Sequence, residues 1–206
     1  MNESVEQPSG NYYDKYKSKN VIERHLMSRF LQSFDRLVGM AGVGDAHEAG
    51  CGEGILTMRL AERGIKVRGF DISPEVVETA KMNAGAKGLA IPFRTGNIYD
   101  LQPSEDAASL MVCCEVMEHL PDSSKALAVL ASLARPYLLV SVPREPIWRI
   151  LNLMRGAYLS ELGNTPGHIQ HWSTGAFVNL LKQRFDIERV EQPLPWTMVL
   201  CRVRDK

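Results

Sequence analysis

The sequence predicts an α/β fold, a mostly parallel sheet with helices on both faces. Three observations carry this expectation. Between residues 46 and 142, short apolar runs alternate with helix-length segments, the order that builds parallel sheets. A glycine-rich turn separates the first of these strands from the helix after it. Residues 137–142 (YLLVSV) are apolar almost throughout, as a strand covered on both faces must be.

Element by element, residues 1–20 mix polar, charged and aromatic side chains without a period and read as a loosely held arm. From Val21, apolar residues recur at Ile22, Leu26, Phe30, Leu31, Phe34, Leu37 and Val38, near the 3.6-residue period of an amphipathic helix. The glycines in 39–44 end it. A short strand at 46–50, a glycine turn and a helix over 55–63 follow. Residues 65–70 form a strand ending at Asp71. Ser73 is an N-cap with Pro74 in the first helical position, opening a helix to about Lys87. A weak strand at 90–94 and a strong one at 109–114 come next, and Ser123 or Ser124 opens a helix running to Ala134. Beyond Pro143 the alternation loosens. Residues 147–154 are apolar at most positions and 163–167 are a loop. Ser173 caps a helix to about Lys182, and 186–190 and 195–203 are two closing strands. One domain over 1–206 is expected, with an arm and first helix at 1–40 and a substrate or lid region at 143–185.

The chain has 206 residues, 24 basic and 24 acidic, so its formal net charge is zero. That balance argues against a dedicated nucleic-acid binder, which carries a basic excess. A 45% hydrophobic content excludes a disordered chain. Four cysteines, two of them adjacent (Cys113 and Cys114) in an apolar run, read as buried thiols and not as a bridge framework. The polar start resembles no signal peptide and no 18-residue apolar run occurs, so a cytoplasmic location is expected.

The most informative segment is His47-Glu48-Ala49-Gly50-Cys51-Gly52-Glu53-Gly54. Glycines at alternate positions let the backbone turn tightly and let a ligand approach it. Asp71, 17 residues after Gly54, ends the next strand, where a carboxylate can accept both hydroxyls of a ribose. The loop reads E-x-G-x-G-x-G and not the G-x-G-x-x-G of pyrophosphate-binding loops, which argues against an NAD-dependent oxidoreductase.

This segment resembles motif I of the class I S-adenosylmethionine-dependent methyltransferases. Residues 96–100 (GNIYD) are similar to that family's adenine-contacting stretch. Residues 112–122 (VCCEVMEHLPD) are similar to its segment after the fourth strand, E-x-x-E-H-(hydrophobic)-P-D. The resemblance implies a Rossmann-like seven-stranded sheet and S-adenosyl-L-methionine as cofactor. It places Asp71, with Ile72 beside it, at the ribose, and Asn97 and Ile98 at the adenine. Glu48 and Gly50 border the methionine end, Cys51 and Gly52 complete the loop, and Cys114 lies at the lip of the pocket.

Methyl transfer from a sulfonium is an in-line displacement, and a hydroxyl acceptor also needs somewhere for its proton to go. His119, close behind the fourth strand, is the general-base candidate, its alternative a capping or packing histidine. His168 is the second catalytic candidate. Two branches of the family share E-x-x-E-H: the ubiquinone-biosynthesis O-methyltransferases and the small-RNA 2′-O-methyltransferases. The later His168-Ile169-Gln170-His171-Trp172 fits the His-x-x-x-Trp of the RNA branch. That likeness implies a divalent-metal set of Glu115, Glu118, His119 and His168, for magnesium, manganese, iron or zinc. Glu115 and Glu118 are three apart and His119 follows, so the start of a helix after the fourth strand is expected to turn both carboxylates and the imidazole toward one point. His171 as the functional histidine is the competing expectation.

Neutral charge still disfavours RNA and DNA, so a small-molecule acceptor is expected, methylated on a hydroxyl or carboxylate oxygen. RNA, a lipid or quinone acceptor, and a non-catalytic cofactor-binding protein are the alternatives. The apolar segment with Arg144, Arg149 and Arg155 reads as a substrate lid, as a patch in peripheral contact with a membrane, or as a packed helix with snorkelling arginines. The arm, with Tyr12, Tyr13, Tyr16 and Arg24, is expected to close over the site.

Overall fold

The computed structural model describes residues 20–154, 156, 158 and 161–204. The arm's tyrosines and Arg155 lie outside the described residues.

Helix α1 (Val21–Ala41) starts where the Asn20 side chain accepts the Ile22 N–H at 2.9 Å. It ends at Gly42, in the left-handed region at φ 60°, whose N–H returns to the Val38 carbonyl. Met27, Phe30, Phe34, Leu37 and Val38 face inward, the stripe its sequence period requires. Then come β1 (Asp45–Ala49), α2 (Ile55–Glu62), β2 (Lys66–Asp71), α3 (Pro74–Ala86), β3 (Phe93–Thr95), α4 (Pro103–Asp106), β4 (Ala108–Cys114), α5 (Ser123–Leu133) and β5 (Ala134–Pro143). Helices α6 (Ile147–Met154) and α7 (Thr174–Leu181) precede β6 (Phe185–Glu191) and β7 (Trp196–Val203).

The seven strands form one sheet in the order β3-β2-β1-β4-β5-β7-β6. The first five are parallel, and β7 runs antiparallel to both β5 and β6. The expected Rossmann-like, mostly parallel architecture is therefore present. One face is covered by α1 and α2 through Phe34, Leu37, Leu60, Leu139 and Leu200. The other is covered by α5 and α7 through Leu127, Leu130, Phe177 and Leu181. Chain direction reverses its progress across the sheet between β1 and β4, the switch point at which open α/β sheets bind ligands.

Ser73 and Ser173 cap α3 and α7 through hydrogen bonds to Val76 N and Ala176 N. Helix α5 differs from expectation: Asp122, not Ser123 or Ser124, is its N-cap, accepting from Lys125 N at 2.8 Å. An aspartate one residue earlier reaches the same orphan N–H. The expected helix directly after β4 is a single 3-10 turn (Met117–His119) instead. Among the described residues, no helix is long and apolar enough to cross a membrane.

Candidate active site

At the carboxyl end of β1, the N–H groups of Gly50 and Cys51 both donate to the Phe70 carbonyl at 2.9 Å. This folds the glycine loop over β2. Gly50 and Gly52 sit in the left-handed region at φ 72° and 52°, and their surroundings differ. A side chain on Gly50 would collide with Val116, which follows β4. A Cβ on Gly52 would meet nothing within 4 Å. Beside that open side stands Asp71. One of its oxygens accepts the Gly52 N–H at 2.9 Å and the other the Ser73 N–H at 3.1 Å. A carboxylate has about four acceptor positions, so two remain for a diol.

Glu48 is buried beneath the loop, where the Thr57 hydroxyl donates to it. Burial, reinforced by the charge of Asp71, pushes its carboxyl up to about 8. Burial likewise raises the Cys51 and Cys114 thiols, so neither is a ready nucleophile. The exposed Ile72 offers an apolar surface next to Asp71. Asn97 uses its side-chain oxygen to cap its own turn, accepting from Tyr99 N at 3.0 Å, and Ile98 is buried. The Gly96 N–H on the Asp71 carbonyl holds this segment against the ribose candidate.

Across the switch point, the chain leaving β4 turns sharply. Glu118 folds inward and is 1% exposed, while His119 remains half-buried. The loop before α7 is pinned to this turn: Ile169 N–H and Gln170 N–H both donate to the Glu118 carbonyl at 3.0 Å. His119 Nδ1 lies 2.9 Å from the Gly167 carbonyl oxygen. The pinning brings His168 to His119, ring centroids 4.9 Å apart. One donor atom each from Glu118, His119 and His168 falls within 4.8 Å of the others.

Glu115 is not in that group. The expectation that one helix face would carry both glutamates is corrected by the backbone: Glu115 has φ 59° and its carboxylate goes to Trp196 and Ser141. His171 is also elsewhere, between Arg149 (2.9 Å) and Asn164 (2.8 Å). Arg144 contacts Gln192 at 2.5 Å, and Arg149 lies 3.6 Å from Glu145. Sequence reasoning missed Thr57, Trp148 and Trp196. Thr57 could have been found, since a buried acid needs a donor and the hydroxyl faces β1 from the first turns of α2. Trp196 lies 81 residues from Glu115, and no local pattern joins them.

Residues 46–137 match the methyltransferase domain family. Over that segment, a little under half of its length, the chain is similar to methyltransferase domains. It is 28% identical over 173 residues to the ubiquinone biosynthesis O-methyltransferase of Methylococcus capsulatus, covering 75% of this chain and 70% of that one. Against the enzyme of the same name from Xanthomonas axonopodis, identity is 30% over 120 residues, 56% of this chain and half of the relative. The methyltransferase fold is shared with magnesium protoporphyrin IX methyltransferase from Synechocystis, solved with S-adenosylhomocysteine. There the TM-score is 0.69 at 22% identity, over 91% of this chain and 89% of that one. A Pyrococcus horikoshii protein superposes with a TM-score of 0.70 at 15% identity, over 91% and 93%.

Proposed function

We propose that this methyltransferase moves the methyl group of S-adenosylmethionine to a hydroxyl oxygen of a small-molecule acceptor, at Glu118, His119 and His168. The observation that carries the proposal is the meeting of those three side chains within 4.8 Å, across the switch point from the glycine loop and Asp71. Asp71, with Ile72 beside it, would hold the cofactor's ribose, Asn97 and Ile98 its adenine, and Glu48, Gly50 and Cys114 its methionine end. Cys51 and Gly52 form the floor.

In the displacement an acceptor oxygen lone pair forms the C–O bond as the C–S bond breaks, and the sulfur keeps the electron pair of the C–S bond. The chain has to hold oxygen, carbon and sulfur in line and take the hydroxyl proton. The Gly167 carbonyl can only accept, so His119 carries its hydrogen on Nδ1 and its lone pair on Nε2. Nε2 is the proton's destination, a role worth roughly 10²–10⁴ in rate.

The same trio also fits a divalent ion. One carboxylate oxygen and two imidazole nitrogens suit magnesium, manganese, iron or zinc, and the donors are close enough for small rotations to bring them onto one centre. Such an ion lowers the pKa of a bound hydroxyl. Nε2 of His119 serves either as base or as ligand, and chelation separates the two. Full activity after exhaustive chelation leaves His119 as the base, and activity restored by one added ion makes it a ligand.

An apolar portion on the acceptor is favoured by the exposed Ile150, Leu153, Leu162 and Ile169 on α6 and the loop pinned to the site. The relatives' names point to quinone chemistry in the same sense. Release of S-adenosylhomocysteine on a panel of phenols, catechols with and without alkyl tails, carboxylates and amines tests the proposal. Turnover of amines alone would overturn it.

A further inference from the structure

We infer that Glu115 is a positioning residue: it latches Trp196 and, through Trp148, sets where His168 stands beside His119. The inference rests on the reading of the histidines given above.

Glu115 occupies the left-handed region at φ 59°, which side-chain-bearing residues avoid. Its N–H donates to the Ser141 carbonyl at 3.1 Å, a bond any residue could make; the part specific to glutamate is its carboxylate. One oxygen accepts from Ser141 Oγ on β5 at 3.0 Å. The other accepts from Trp196 Nε1 on β7 at 2.6 Å. Ser141 is fully buried and Trp196 is 3% exposed, so each donor needs an acceptor inside the protein. A single side chain at the end of β4 therefore ties three neighbouring strands together at the edge that bears the site.

Trp196 is in turn the second member of a row of rings. Phe30 of α1 meets it edge-on at 5.0 Å. On its other side Trp148 lies at 5.9 Å. Trp148 stacks on His168 at 5.8 Å with 29° between the planes, and its Nε1 donates to Thr165 Oγ1 at 2.9 Å. His168 then meets His119 at 4.9 Å. Packed rings pass a displacement on because the interior has no slack to absorb it. The first glutamate of E-x-x-E-H thus acts at a distance on the histidines, while the second, Glu118, stands among them.

Two substitutions isolate this role. Glu115→Gln keeps an oxygen for the indole N–H and an amide that can donate to Ser141. Glu115→Ala removes both. The chain has three tryptophans, so indole-labelled protein gives three N–H resonances, with Trp196 assigned by Trp196→Phe. In Glu115→Ala the Trp196 resonance shifts and its exchange with solvent rises at least tenfold. The His168 ring-proton resonance moves with it, and Trp172, paired with Phe177, stays in place. Glu115→Gln restores both signals, and affinity for S-adenosylhomocysteine is unchanged in both variants. An unmoved His168 in Glu115→Ala would overturn the inference, as would Glu115→Gln matching the alanine variant. Should the alanine variant not fold, Ser141→Ala and Glu115→Gln carry the test: the first shifts Trp196 and His168, the second does not. A wild type that releases no S-adenosylhomocysteine removes the methyl-transfer reading and leaves these resonances to judge the latch alone.

Discussion

His119 Nδ1 lies 2.9 Å from the carbonyl oxygen of Gly167, the residue before His168. That one contact fixes the imidazole's tautomer and joins the turn after β4 to the loop before α7. Two histidines far apart in sequence thereby face each other at the carboxyl edge of the sheet.

Replacing His119 with alanine should lower kcat by roughly 10²–10⁴ while leaving the calorimetric Kd for S-adenosylhomocysteine unchanged. Weakened cofactor binding in a folded variant would mean that the ring shapes the cofactor site instead.

Asp71→Ala should cost about 1–3 kcal/mol of cofactor affinity, the value of a buried hydrogen bond left unmade. Because Asp71 also holds Gly52 N–H and Ser73 N–H, the melting temperature should fall too, though the protein stays folded. Unchanged affinity in a folded variant would remove the ribose assignment.

The two loop glycines should separate. Gly50→Val meets the Val116 side chain and should lower thermal stability before binding is even measured. Gly52→Ala enters open space, and its left-handed backbone costs only about 1–2 kcal/mol. Its main effect should be on cofactor affinity, at least tenfold. Melting and titration curves on both variants decide, and equal binding by a stable Gly52→Ala protein would mean that the backbone there touches no ligand.

Two buried groups give the cofactor-free protein a defined pH response. Burial pushes Glu48 up to about 8 from an ordinary 4.5, so the fold keeps a proton that the unfolded chain has lost. Stability therefore falls as pH rises through that interval. Burial lowers His47 to about 4 from 6.5, so the unfolded chain takes up a proton that the fold refuses, and stability falls as pH drops below 6.5. Between 4.5 and 6.5 the slopes oppose each other. Between 6.5 and 8 Glu48 is the one of these two that acts, and unfolding free energy should fall by about 2 kcal/mol, at roughly 1.4 kcal/mol per pH unit. Urea unfolding at both ends of that interval measures it, and Glu48→Gln should flatten the change. An equal fall in Glu48→Gln would place the titrating group elsewhere.

Much of this was legible in the sequence because its causes are local. The period of Phe30, Phe34 and Leu37, the Ser73-Pro74 start and the alternate glycines each act within one or two turns of chain. Asp71 was legible because strand, turn and helix lengths fix the spacing from the glycine loop to the next strand end. Glu115 was not. Its spacing from Glu118 suits a shared helix face, and only the left-handed turn, stabilised by Trp196 from the other end of the chain, sends its carboxylate the other way. The pairing of His119 with His168 was expected from a family likeness, but the backbone bonds of Ile169 and Gln170 to Glu118 that achieve it carry no side-chain signature.

The most direct test of methyl transfer at the His119 edge is the rate of S-adenosylhomocysteine formation on hydroxyl acceptors, wild type and His119→Ala side by side at saturating cofactor. Turnover of at least one phenol or catechol by the wild type is expected, with a loss of roughly 10² or more in the variant. Equal rates in the two proteins, or a wild type that binds the cofactor yet methylates only amines, would contradict it.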